Sequence, residues 1–186
     1  MSKIVESVKV FESIKADDGV GIKTGHNAKM LEGGLQARGY LTVIKNLGRP
    51  NEQVLCKNKG NLLTNIGRDD FHTALYVDTT ATQVGWNFIA VSADVGSPAV
   101  GDTILTGEIT TGGLIRVLAT TRTHTGGTNT STVAVTFTAS AVHTAVRRSA
   151  LFDLVTVGTI SHSNTFTNAS LEINDTLTVT WTLTLG

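Results

Sequence analysis

Thr176-Leu177-Thr178-Val179-Thr180-Trp181-Thr182-Leu183-Thr184-Leu185 changes character at every residue. Leu177, Val179, Trp181, Leu183 and Leu185 fall on one side, and five threonines fall on the other. Successive side chains of a β-strand point to opposite faces, so this stretch reads as a strand with one face in a core and one in water. A helix would need apolar residues every three or four positions, which this run does not offer. Trp181, in the middle of the apolar side, is expected in the hydrophobic core.

Working backward from that strand, the same period recurs. Thr132–Ala139 places Val133, Val135 and Phe137 opposite Thr132, Ala134, Thr136 and Thr138. Leu114–His124 alternates as well, Val142–Leu154 is a long candidate, and Thr165–Leu171 is a short one. Trp86–Ala93 is a strongly apolar run, and Asp102–Ile109 a shorter one holding Gly107. Leu41–Lys45 and Gln53–Lys57 flank a turn punctuated by Gly48 and Pro50, which predicts a hairpin. Leu62, Leu63, Ile66, Phe71, Ala74 and Leu75 follow near-helical spacing, which predicts one short helix over 62–76, capped at Asn61 and weakened at Gly67. From 16 to 40, six glycines from Gly19 to Gly39 break every period, so this segment reads as an extended arm. Short strands without a βαβ rhythm predict a mainly β fold, an antiparallel β-sandwich, jelly-roll-like or Ig-like. The expected division is an arm and hairpin over 1–60, then a helix and the sandwich over 61–186.

Composition bounds what such a chain does. Of 186 residues, 15 are Lys or Arg and 15 are Asp or Glu, so there is no basic excess of the kind that binds nucleic acid. The charge is unevenly placed: every lysine lies at or before Lys59, and 23 of the 30 threonines follow residue 100. One cysteine, Cys56, excludes an internal disulfide and a Cys-rich zinc site. No apolar run reaches the length of a membrane helix, and the start shows no apolar signal-peptide region, so no membrane partner is expected.

Several residue sets offer candidate chemistry. His124, His143 and His162 are evenly spaced by 19, and three imidazoles can hold zinc, but no carboxylate completes the set. Asp69, Asp70 and His72 would share a helix face, where a solvated surface is the simpler account than acid–base work. Glu108 has no evident partner in the sequence. Cys56 reads as a core residue rather than a nucleophile. No nucleophile elbow, phosphate-binding loop or His-Glu-x-x-His motif occurs. No catalytic residue, cofactor or metal is therefore expected. Arg147 and Arg148 lie side by side in a β run and must point to opposite faces. One of them must leave water, be paired inside the sandwich, or face a partner; a contact with another subunit is the favoured expectation.

The order of the segments carries a resemblance. It runs from Asn61-Leu62-Leu63-Thr64-Asn65-Ile66-Gly67-Arg68-Asp69 to Phe88-Ile89-Ala90-Val91-Ser92 and Asp102-Thr103-Ile104-Leu105-Thr106-Gly107-Glu108-Ile109. Gly113-Leu114-Ile115-Arg116, Thr123-His124-Thr125-Gly126-Gly127-Thr128 and Thr136-Phe137-Thr138-Ala139 come next. Leu151-Phe152-Asp153, Phe166 and Asp175-Thr176-Leu177-Thr178-Val179-Thr180-Trp181-Thr182 end it. The series, about two-thirds of the chain, resembles β-rich virion structural proteins of tailed bacteriophages. The resemblance implies a non-enzymatic protein made in the host cytoplasm and carried in the virion, with other virion proteins as partners. A compact β domain behind a charged, Gly-rich arm then suggests a capsid decoration (cement) protein on the capsid surface, bound to the major capsid protein and to itself as a homo-oligomer, a trimer. A tail, baseplate or fibre-attachment protein is the alternative, and a carbohydrate-binding module the alternative of another class. Ile4, Val5, Val8, Val10 and Phe11 of the arm, with Arg147 and Arg148, are the expected partner-binding residues.

Overall fold

The computed structural model describes residues 37–67 and 85–185. Within them the chain forms ten strands: β1 (Ala37–Lys45), β2 (Gln53–Gly60), β3 (Leu62–Leu63), β4 (Phe88–Ser92), β5 (Val117–Leu118), β6 (Thr121–His124), β7 (Thr130–Thr138), β8 (His143–Phe152), β9 (Ile160–Leu171) and β10 (Thr176–Leu185). Two five-stranded sheets result, with orders β2-β1-β10-β7-β6 (sheet A) and β3-β9-β8-β4-β5 (sheet B). The fold is the mainly β, antiparallel sandwich that the alternation predicts.

The apolar sides of the two sheets meet. Leu177, Val179, Trp181, Val133, Val135, Phe137, Leu41 and Val43 of sheet A enter one cluster with Ile89, Val91, Val146, Leu151, Ala169 and Leu171 of sheet B. Trp181 is fully buried, as its place in the alternation requires. β10 and β7 pair without a bulge over nine successive residues, from Thr176↔Thr138 to Thr184↔Thr130. An unbroken register keeps every apolar residue of both strands on the core side.

Sheet B differs because part of it is buried on both faces. Ala90, Leu105, Ala150, Phe152 and Ile160 form a second cluster, on the side away from sheet A. Leu105 belongs to the connection between β4 and β5, which therefore covers the outer side of this sheet. That connection was expected to hold a strand over Asp102–Ile109. It makes only an isolated bridge, Ser92↔Glu108, and turns at Gly107 with φ +63°.

Other boundaries also differ. The run Leu114–His124 is not one strand: β5 pairs with β4 in sheet B, while β6 pairs with β7 in sheet A. Ala119, buried between them, is the corner where the chain changes sheet. Leu62 and Leu63 are not helical but pair with Ser163 and His162 of β9. The helical residues 65–67 begin after Thr64, whose Oγ1 accepts the Gly67 N–H at 3.0 Å. Thr64, not Asn61, is thus the cap. The hairpin β1–β2 is not an appendage of an arm: β1 lies between β2 and β10 inside sheet A, and begins at Ala37 rather than Leu41. A compact unit runs from Arg38 to Thr184. The arm residues Ile4, Val5, Val8, Val10 and Phe11, and the cluster Asp69, Asp70 and His72, lie outside the described residues.

Candidate functional site: two outer faces

Beyond the core, each sheet has an outer face, and the two are built differently. On sheet B the face is sealed by ion pairs. β8 turns Arg148 to this side, where its side chain is only 3% exposed. A buried guanidinium is costly unless its donors are met. Here Nη1 reaches Asp94 at 3.3 Å, Nη2 reaches Asp102, and Nε donates to Ser163 Oγ at 2.9 Å. Asp94 and Asp102 both sit in the covering connection, so Arg148 pins that segment to the sheet. A second arginine repeats the device. Arg116 grips Glu108 with two bonds of 2.9 and 2.5 Å, stands 3.4 Å above the Phe152 ring, and donates to the Leu154 carbonyl at 3.1 Å.

Arg148 is therefore an internal group rather than the partner contact expected of it, and Glu108 finds its partner in Arg116. Arg147 donates to Asn168 Oδ1 at 3.0 Å. Asp94, Asp102 and Arg116 did not stand out in the sequence. The signal was indirect: an arginine inside an apolar strand requires an acid, and the loop after β4 holds three, Asp94, Asp102 and Glu108.

Among the described residues, none covers the outer face of sheet A in this way. The outward positions of β10 and β7 are Thr176, Thr178, Thr180, Thr182 and Thr184 against Thr138, Thr136, Ala134, Thr132 and Thr130. β6 adds Thr121 opposite Ala134 and Thr123 opposite Thr132. Eleven of these twelve positions are threonine, and none is charged or buried. The hydroxyls of Thr136 and Thr178 lie 2.9 Å apart across the strands. β1 continues the face with Tyr40, Thr42 and Ile44, and Val54 of β2 stands exposed opposite Ile44. Arg38, exposed and in step with Tyr40, Thr42 and Ile44, brings charge to the β1 end of this side, and at the other end of β1 Lys45 meets Asp175 at 2.7 Å. The Lys45 ammonium and the Glu172 N–H hold the Asp175 carboxyl down at about 2.

The three evenly spaced histidines do not meet. His143 pairs with Leu171, while His162 pairs with Leu151 eight residues further along β8, about 26 Å away at strand rise. His124 lies on β6 of the other sheet. No group of three metal-ligating side chains forms among the described residues. His162 is instead a core residue, with Trp86 and Trp181 on either side at ring distances of 6.5 and 6.2 Å. Burial pushes its pKa down to about 4, so it is neutral at physiological pH. Gly39 of β1 passes so close that a Cβ there would stand 2.8 Å from the His162 ring. Cys56 is half-buried beside the core, and burial pushes its thiol up, away from the thiolate a nucleophile needs. Of the two tryptophans that a sugar-binding platform would expose, Trp181 is in the core and Trp86 packs half-buried against it.

No family model, curated protein or solved structure matches this chain.

Proposed function

We propose that the chain is a non-enzymatic virion structural protein of a tailed bacteriophage, a decoration protein held on the head shell by contact surfaces. The observation that carries this reading is where the polar chemistry goes. Arg148, Asp94, Asp102, Arg116 and Glu108 are consumed in fastening one layer to another. Among the described residues the surface also offers a broad threonine-rich sheet face and a set of exposed apolar residues, Ile104, Ile115, Leu154, Val155 and Val157 among them. Broad faces of this sort serve protein–protein contact. The ordered series of segments from Asn61 to Thr182 points the same way. Partners are the major capsid protein and further copies of the chain, with the N-terminal arm reaching the shell.

Co-sedimentation tests the reading. Purified protein mixed with heads lacking it should pellet with them and saturate. A chain beginning at Ala37 keeps all ten strands and should fold, yet stay in the supernatant. Full-length protein that never pellets with heads contradicts the proposal.

A further inference from the structure

We infer that the threonine face of sheet A is a self-contact, against which the same face of a second copy docks. For its place in a particle this rests on the reading above; the contact itself is argued from the sheet.

Exposed sheet faces of soluble proteins ordinarily intersperse charge, which keeps them from joining. Twelve outward positions on three neighbouring strands carry none here. A threonine hydroxyl both donates and accepts, so a threonine face meets a copy of itself with hydrogen bonds and methyl contacts and no repulsion. The spacing fits too. Strands lie about 4.8 Å apart and same-side residues about 6.7 Å apart, a grid that another β-sheet shares. Sheets twist by roughly 20° per strand, so a flat rigid surface would touch only the middle of such a grid, whereas a second twisted sheet packs along it.

Size sets the strength. Sixteen positions, counting Tyr40, Thr42, Ile44 and Val54, cover roughly 500 Å² of plane at that spacing. A standard interface takes about 800 Å² from each partner, so this contact falls at the small end, in the micromolar range or weaker. A face that meets its own copy closes at two, so the inference gives a pair where the sequence suggested a trimer.

Sedimentation velocity on the full chain, from about 1 to about 500 μM to bracket an interface of this size, tests it. The mass should rise from one chain to two. Thr136→Lys with Thr180→Lys should weaken the pair at least tenfold, with the tryptophan fluorescence of the core unchanged. Thr136→Glu with Thr180→Glu should weaken it likewise, and mixing the Lys and Glu proteins should restore the two-chain mass. A chain that stays monomeric throughout, a trimer indifferent to these substitutions, or a mixture that does not recover overturns the inference. Binding to heads is read separately: protein that pellets with heads but never pairs sinks this contact and leaves the proposed function standing. Protein that pairs but does not pellet does the reverse.

Discussion

The two outer faces of the sandwich solve one problem in opposite ways. Sheet B hides its outer side under a connection fastened by Arg148 and Arg116, so residues 148–152 of β8 and 160–164 of β9 are buried on both faces. Among the described residues, sheet A leaves its outer side open and makes it uniform over β10, β7 and β6, threonine after threonine. The difference teaches where buried polar groups are tolerated. Ser149, Ser161 and Ser163 sit inside because a hydroxyl satisfies itself on a nearby carbonyl or on Arg148, whereas the open face has no such demand. It also predicts that equal changes have unequal costs on the two sides.

The largest effect lies between the faces. Trp181→Ala should cost roughly 3–5 kcal/mol, read by chemical denaturation, because it empties a large fully buried site that both sheets share. A loss below about 1 kcal/mol would remove the common core on which the comparison rests.

Acid comes next. His162 is neutral when folded, with a pKa of about 4 against 6.5 for the free side chain. Because the folded value is the lower one, the unfolded chain takes the proton first, and stability falls as pH drops from 6.5 to 4. The shift corresponds to about 3 kcal/mol. Asp175, held at about 2 against 3.8, adds its own loss only below pH 4. His162→Phe should flatten the upper window, and an unchanged slope between pH 6.5 and 4 would mean that the ring reaches water.

Arg148→Ala should cost about 2 kcal/mol, less than the 3–5 typical of a broken buried pair, since the orphaned Asp94 and Asp102 are 22% and 24% exposed and can be rehydrated. Hydrogen exchange should quicken over 93–109 and not in β10. Equal protection in both would mean that the ion pairs do not seal the face. The smallest effect belongs to the open side: Thr180→Lys should alter stability by about 0.5 kcal/mol or less. A cost of several kcal/mol would show that this face is covered within the chain.

Legibility in the sequence follows the same division. β10 and β7 were readable to within two residues because one side is wet and the other dry, so the period of two is visible. β9 was read only from Thr165 because Ile160, Ser161, His162, Ser163 and Asn164 are all buried and no alternation survives. Val117–His124 kept a clean period through Ala119, and the period says nothing about which sheet a residue joins. Leu62 and Leu63 match a helix by spacing, but pairing with β9 overrides propensity. Of the site, the threonine row of β10 was legible and its partners on β7 and β6 were not, since register is a property of the folded sheet. Arg147 and Arg148 follow Val146 across a register shift that simple alternation does not foresee, and the acids that claim Arg148 lie 46 and 54 residues away in the chain.

The central claim, that this chain is a structural component of a phage head, is tested most directly by a cryo-EM map of the virions that its phage produces. The account predicts density for the two-sheet sandwich outside the head shell, repeating with the symmetry of the shell. Virions that contain none of the protein, or that hold it only in the tail, would contradict it.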